Sequence, residues 1–226
     1  MGDDEVWGEW GRRWTAEEGR HSIVMRDYIV VTRALDLVAL ERARMQQVSH
    51  GFKFPYESSI DTFVYVALQE LATRISHAGT GALLADESGK AIMDRVARDE
   101  NLHYLFYRDI VTAALEVNPS LVMPAIERQV RGFKMPGTGI DNFDKFALAI
   151  ARAGIYSRSI HYKKIIKPVI LNTWKIDKTE GLNPVAEESR VRTMTFIERL
   201  EKKAARQQAR LEEQQALAAD VESEVA

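Results

Sequence analysis

The chain has 226 residues, a formal net charge of −2 and no cysteine; 46% of it is hydrophobic and 28% charged. Without cysteine there are no disulfides, zinc–thiolate sites or iron–sulfur clusters, and the slight acidity argues against a nucleic-acid binder. Any metal must therefore be held by carboxylate and imidazole, a donor set that suits iron, manganese or zinc.

The first ten residues, MGDDEVWGEW, are acidic and lack the apolar core of a signal or transit peptide. No apolar run reaches the ~20 residues of a membrane helix, and the expected location is the cytoplasm. Helical periodicity dominates the rest of the chain. A first helix is predicted from roughly residue 7 to residue 40, with Trp14, Glu18, His21, Met25 and Tyr28 on one stripe. Turn signals at Ser49, Gly51 and Pro55 end that unit. Ser58 or Ser59 then caps a second helix reaching about Leu84, with Phe63, Val66, Glu70, Thr73 and His77 in line. Ser88-Gly89 opens a third, to about Val117, carrying Met93, Val96, Glu100, His103 and Tyr107 on one side. Asn118-Pro119-Ser120 stops it and starts the next. Shorter helical pieces are expected over 120–131, 141–153 and 159–173, and a loop over 175–184. A long charged helix or tail begins at Glu187. The expected class is all-α, with one domain over residues 1–186 and the charged segment over 187–226.

Two ExxH motifs carry the chemistry, Glu18-x-x-His21 and Glu100-x-x-His103. At i and i+3 a carboxylate and an imidazole share one helix face and can hold one ion. Both motifs lie on otherwise apolar stripes, where an unpaired carboxylate carries a large desolvation cost. Glu70 is a third carboxylate at the matching position of the intervening helix. A ferritin-like dinuclear site takes two ExxH helices plus two helices that each give one glutamate. Bridging carboxylates hold the two metal ions together and offset their charge. The plainer alternative is that the glutamates pair locally and the histidines hydrogen-bond in the core.

WTAEEGRH, LQELATRISH and ARDENLH resemble the metal-binding segments of the soluble acyl-[acyl-carrier-protein] desaturases, especially their actinobacterial branch. RDYIVVTRALD, FYRDIV, FKMPG and WKIDKTEGL extend the resemblance from about residue 7 to about residue 182. It implies a ferritin-like di-iron bundle with two Fe ions, in which Glu18 and Glu100 bridge. His21 is then a terminal ligand of one iron, and Glu70 and His103 of the other. Thr73 matches a threonine beside the site that helps deliver a proton, and His77 matches a histidine whose role is a core or supporting hydrogen bond rather than ligation. The implied reaction inserts a cis double bond into an acyl chain carried by acyl carrier protein, using dioxygen and electrons from a ferredoxin-type donor. A homodimer is implied on the same ground. Residues near Phe63 and Val66 are candidates to line the acyl channel, although core packing is the commoner role. Lys163, Lys164, Lys167, Arg152 and Arg158 are candidates for docking the acidic carrier, with plain solubilising charge the simpler reading of each.

The family's first glutamate ligand lies on a helix tens of residues before WTAEE. Glu9 sits nine residues before Glu18, on the opposite helix face at ~100° per residue, and Glu5 is about 140° away. Neither replaces that ligand, so the bundle is expected to lack its first core helix and to expose apolar stripes there. Two other readings stay open: a silent relative that binds acyl carrier protein or a partner desaturase, and a related di-iron oxygenase with another substrate.

Overall fold

Two long helices build the core. The computed structural model describes residues 5–225, with side chains as far as residue 213 apart from Leu211. Helix α3 (Ser59–Leu83) begins in a capping box: the Ser58 hydroxyl accepts from the N3 backbone, and Asp61 accepts from the Ser58 N–H. Helix α4 (Glu87–Val117) begins at Asp86, whose carboxylate accepts from Gly89 N at 2.7 Å. Both starts lie within two residues of the predicted ones. Val66 and Glu70 of the predicted α3 stripe and Met93, Val96, Glu100, His103 and Tyr107 of the α4 stripe are buried, and Val64, Leu68 and Leu71 widen the buried face of α3. The close approach is set partly by Gly81, where a β-carbon would lie 2.9 Å from Met93 Cβ.

Around this pair lie α1 (Val6–Thr32), α2 (Leu37–His50), α5 (Pro119–Gly132), α6 (Phe143–Arg152), α7 (Arg158–His161) and α8 (Pro184–Val225). Helix α7 runs on into a π-helical segment, Tyr162–Thr173, and single 3₁₀ turns occur at Pro136–Gly139 and Ile176–Lys178. No strand occurs among the described residues. Helix α8 packs along α5, where Arg192 donates to both carboxylate oxygens of Glu127 at 2.7 and 2.8 Å. The α3 start is tied to α5 through Asp61. This fully buried carboxylate accepts from Arg128 at 2.8 and 2.9 Å and from Gln129 at 3.0 Å. Burial opposes its charge, but the bonds from Arg128 and Gln129 outweigh that and bring it to about 2.

Three expectations need correction. The predicted first helix to residue 40 is two helices. Arg33 takes a left-handed conformation (φ 52), and Arg33 N and Ala34 N turn back to Val30 O and Ile29 O. Asp36 then caps α2 by accepting from Val38 N and Ala39 N at 2.8 and 3.0 Å. The segment 159–173 winds mostly as a π-helix, which accommodates Pro168. The last helix starts at Pro184 rather than Glu187, and its Ala186 is fully buried.

Helix α1 lies along α4, yet His21 is its only buried residue, and Ile23 and Val31 are 61% and 80% exposed. A groove of about 340 Å³ runs there between α1, α2, α3 and α4. Its lining includes Glu18, His21, Met25, Leu40, Thr73 and Glu100.

Candidate metal centre

Helices α1, α3 and α4 bring all five predicted ligands together. One ligand atom each from Glu18, Glu70, Glu100 and His103 lies within 4.8 Å of the others. His103 Nδ1 is 3.2 Å from Glu18 Oε1, 3.5 Å from Glu70 Oε2 and 4.0 Å from Glu100 Oε2. His21 stands on the far side of the two ExxH glutamates, with Nδ1 3.3 Å from Glu100 Oε1 and 4.0 Å from Glu18 Oε1. The cluster is therefore lopsided. Glu70 and His103 face one end of the Glu18–Glu100 pair, while His21 alone faces the other. Among the described residues no further carboxylate completes the His21 end; Glu9 and Glu5 are both exposed.

Glu70 and His103 are fully buried, and Glu100 and His21 are 3% exposed. Such burial of polar groups is costly unless every atom finds a partner. Four inward atoms do not: Glu18 Oε1, His21 Nδ1, Glu70 Oε2 and His103 Nδ1 are buried without a hydrogen bond. All four belong to the expected ligands and point into one volume. Carboxylate oxygens and imidazole nitrogens left open in this way fit divalent iron.

The opposite nitrogen of each imidazole is held. His103 Nε2 bonds Glu17 Oε2 at 2.9 Å, and His21 Nε2 bonds Asp99 Oδ2 at 3.3 Å. The pairing is reciprocal: Glu17 precedes Glu18 on α1 but serves the α4 histidine, and Asp99 precedes Glu100 on α4 but serves the α1 histidine. Carboxylates placed so fix the ring orientation and leave Nδ1 as the inward atom. Sequence reasoning missed both residues. The available signal was the acidic residue immediately before each ExxH, in AEEGRH and RDENLH.

The carboxylates divide sharply in electrostatics. Burial pushes Glu70 up to about 9, and repulsion by Glu100 and Glu18 adds to this against the attraction of the nearby His103 imidazole. Burial also opposes ionisation of Glu100, but the neighbouring His21 imidazole and Glu70 carboxyl, together with His77, bring it down to about 2. His103 rises to about 10, because the carboxylates of Glu18, Glu70 and Glu17 outweigh its burial. His21 is raised in the same manner by Glu100 and Asp99.

Thr73 lies where expected, with its hydroxyl 3.0 Å from Glu100 Oε2. It is also 2.9 Å from Glu70 O and 3.2 Å from Gln69 O, so one proton serves three acceptors. His77 Nε2 is 3.8 Å from Glu100 Oε1, too long for a hydrogen bond, and burial lowers its basicity. Trp14 donates its indole N–H to Glu70 Oε1 at 3.2 Å, a contact the sequence did not announce. Phe63 packs against the rings of Trp7 and Tyr107, and Val66 is buried, so both belong to the core.

This fold and cluster define a ferritin-like helical bundle with a carboxylate–histidine centre. The chain belongs to the fatty acid desaturase family, whose sequence pattern it matches over residues 1–223. It is 42% identical over 188 residues to the candidate acyl-[acyl-carrier-protein] desaturase DesA1 of Mycobacterium tuberculosis, covering 80% of this chain and 55% of DesA1. It is 30% identical over 222 residues to stearoyl-[acyl-carrier-protein] 9-desaturase 6 of Arabidopsis thaliana, covering 93% of this chain and 55% of the relative. The chain thus spans about half the length of these relatives. The X-ray structure of the candidate acyl-ACP desaturase DesA2 of Mycobacterium tuberculosis H37Rv superposes with a TM-score of 0.65 at 27% identity. That match covers 83% of this chain and 71% of DesA2. No described helix is long and apolar enough to cross a membrane.

Proposed function

We propose that this chain carries the metal centre of an acyl-[acyl-carrier-protein] desaturase, which inserts a cis double bond into a saturated acyl chain for fatty acid synthesis. The observation that carries the reading is the convergence of four unpartnered buried donor atoms from Glu18, His21, Glu70 and His103. Glu18 and Glu100 stand between the two imidazoles and would bridge two iron ions. Glu70 and His103 would hold one ion and His21 the other. Bound iron supplies the redox chemistry with dioxygen that removal of two hydrogens requires.

The protein's own groups orient, hold protons and exclude water. Glu17 and Asp99 fix the imidazoles. Thr73 keeps a hydroxyl proton 3.0 Å from Glu100 Oε2, where it can be passed to the site. The groove beside Glu18 and Thr73, with Met25 and Leu40 in its wall, gives an apolar chain access to the cluster. Of the basic candidates, Lys163 and Lys164 join Arg74 along a surface groove of about 570 Å³ that no carboxylate lines, which suits an acidic carrier protein. Lys167, Arg152 and Arg158 are exposed nearby in sequence. A ferredoxin-type donor, a second copy of the chain and a cytoplasmic setting complete the reading.

If Asp99 orients His21, Asp99→Asn leaves every ligand in place yet weakens ferrous binding by about 10- to 100-fold. Competition with a chelator measures this, and an unchanged affinity removes Asp99 from the account. The reading as a whole is tested with iron-loaded, chemically reduced protein, acyl carrier protein bearing a saturated chain, and dioxygen. A product lighter by two hydrogens is expected. A product heavier by one oxygen would make the chain an oxygenase of another kind, and an unchanged substrate a silent relative.

A further inference from the structure

Trp7, Trp10 and Trp14 recur at spacings of three and four along α1 and turn one edge of that helix toward α3 and α4. Their rings form an unbroken row. Trp7 is 37% exposed and stacks on Phe106 at 6.1 Å between centroids. Phe106 stacks on Trp10 at 3.8 Å and 17°, and Trp10 meets His103 edge-on at 6.0 Å. Trp14 lies 6.5 Å from the same imidazole and donates to Glu70 Oε1. Tyr107 touches both inner indoles, at 6.0 and 5.5 Å, and accepts the Trp10 N–H at 3.2 Å. One end of the row thus rests on two of the proposed iron ligands, and the other meets solvent.

Apolar packing alone calls for leucine or phenylalanine at these positions, without N–H groups that must find acceptors. Indole has the further property of giving up one electron without first losing its proton. Tyr107 does not share it: its hydroxyl accepts from Trp10 and donates to no described protein group, so its proton has nowhere to go. We infer that Trp10, Phe106 and Trp7 form a one-electron path by which an oxidising equivalent at the metal centre leaves for the surface when no acyl chain is there to consume it. The proposal rests on the iron-binding reading above. Each step moves one electron and no atom. Trp10 reduces the oxidised iron site, Trp7 reduces the Trp10 cation across the Phe106 ring, and a soluble one-electron reductant of the ascorbate class reduces Trp7. The indole protons stay on nitrogen during these transfers. Without such a reductant, the exposed Trp7 cation loses its N–H proton to water, the neutral radical adds dioxygen, and the peroxyl takes a hydrogen atom from a buffer component, which leaves oxygen on the ring as a mark.

The test is to load the chain with ferrous iron, admit dioxygen without substrate, and locate oxygen incorporation by peptide mass spectrometry. Incorporation at Trp7 is expected in the parent and is suppressed by ascorbate. In Trp10→Phe it falls by an order of magnitude at Trp7 and moves inward to Trp14 or His103. Phe106→Leu gives the same inward shift and serves if Trp10→Phe does not fold or does not bind iron. Glu100→Ala, expected to bind no iron, leaves Trp7 unmarked. Equal marking of Trp7 in parent and Trp10→Phe at equal iron content, or marking in iron-free Glu100→Ala, overturns the path. Failure of the parent to bind iron at all instead overturns the metal reading on which the path depends.

Discussion

Glu100→Ala is expected to abolish iron binding and, with it, any oxygen-dependent unsaturation. Glu100, like Glu18, faces both imidazoles, and it does so with both oxygens: Oε1 is 3.3 Å from His21 Nδ1, and Oε2 is 4.0 Å from His103 Nδ1. On the proposed assignment its loss would remove a bridge from both ions at once, whereas loss of Glu70 would remove one ligand from one end. The same substitution also destabilises the iron-free fold. Glu100, held down to about 2, stands beside His21, whose basicity it raises, and removing one partner of such a buried pair costs roughly 3–5 kcal/mol. Glu70→Gln contrasts with it. Glu70, pushed up to about 9, already carries its proton at neutral pH. Glutamine keeps an acceptor for the Trp14 indole and adds no buried charge. Glu70→Gln should therefore lose iron affinity while keeping the parent's melting temperature without iron. Calorimetric melts with and without ferrous iron separate the two variants. Equal melting temperatures for iron-free Glu100→Ala and parent would contradict the electrostatic picture.

Ferrous binding near neutral pH is expected to release protons, and its affinity to rise with pH. The sign follows from the raised ligands, Glu70 and His103 foremost, with His21 shifted in the same direction. His103, at about 10, and Glu70, at about 9, are both protonated at pH 7 and both need an open lone pair to ligate. Iron competes with those protons, so affinity climbs as pH rises from 7 toward 9 and release per ion shrinks over the same range. Glu100, at about 2, gives up nothing in this window. Titrating iron in two buffers of unequal ionisation enthalpy gives the number of protons released. Uptake instead of release, or affinity that falls with pH, would show that Glu70 and His103 are not the groups displaced.

Much of the site could be read in the sequence because ligation imposes a short-range rule. A glutamate and a histidine that share an ion sit one turn apart on one helix, and that spacing survives in the letters. Glu70 was legible for a related reason, as a charged residue on an otherwise apolar stripe. Glu17 and Asp99 were not, because each serves a histidine on the other helix, and no spacing within one helix records a contact across two. The break between α1 and α2 was hidden as well. Its left-handed residue is Arg33 rather than glycine, and its cap, Asp36, sits among good helix formers in RALDLVAL. The π winding of Tyr162–Thr173 gives the same apolar pattern as an α-helix over so short a run. Only Pro168 hinted that the hydrogen-bond register had shifted. The cap at Ser58 was readable from its place just before an apolar run, but its partner in the capping box, Asp61, was not singled out.

The lopsided cluster gives the account its most direct test, an anaerobic ferrous titration of the parent, His103→Ala and His21→Ala. With Glu18, Glu70, Glu100 and His103 converging at one end and His21 joining only the two shared glutamates at the other, the parent should bind two ions in unequal steps, the tighter one first. His103→Ala should lose the tight step, and His21→Ala only the weak one. Failure of the parent to bind iron, or iron binding that both histidine substitutions leave unchanged, would contradict the assignment of this cluster as the metal centre.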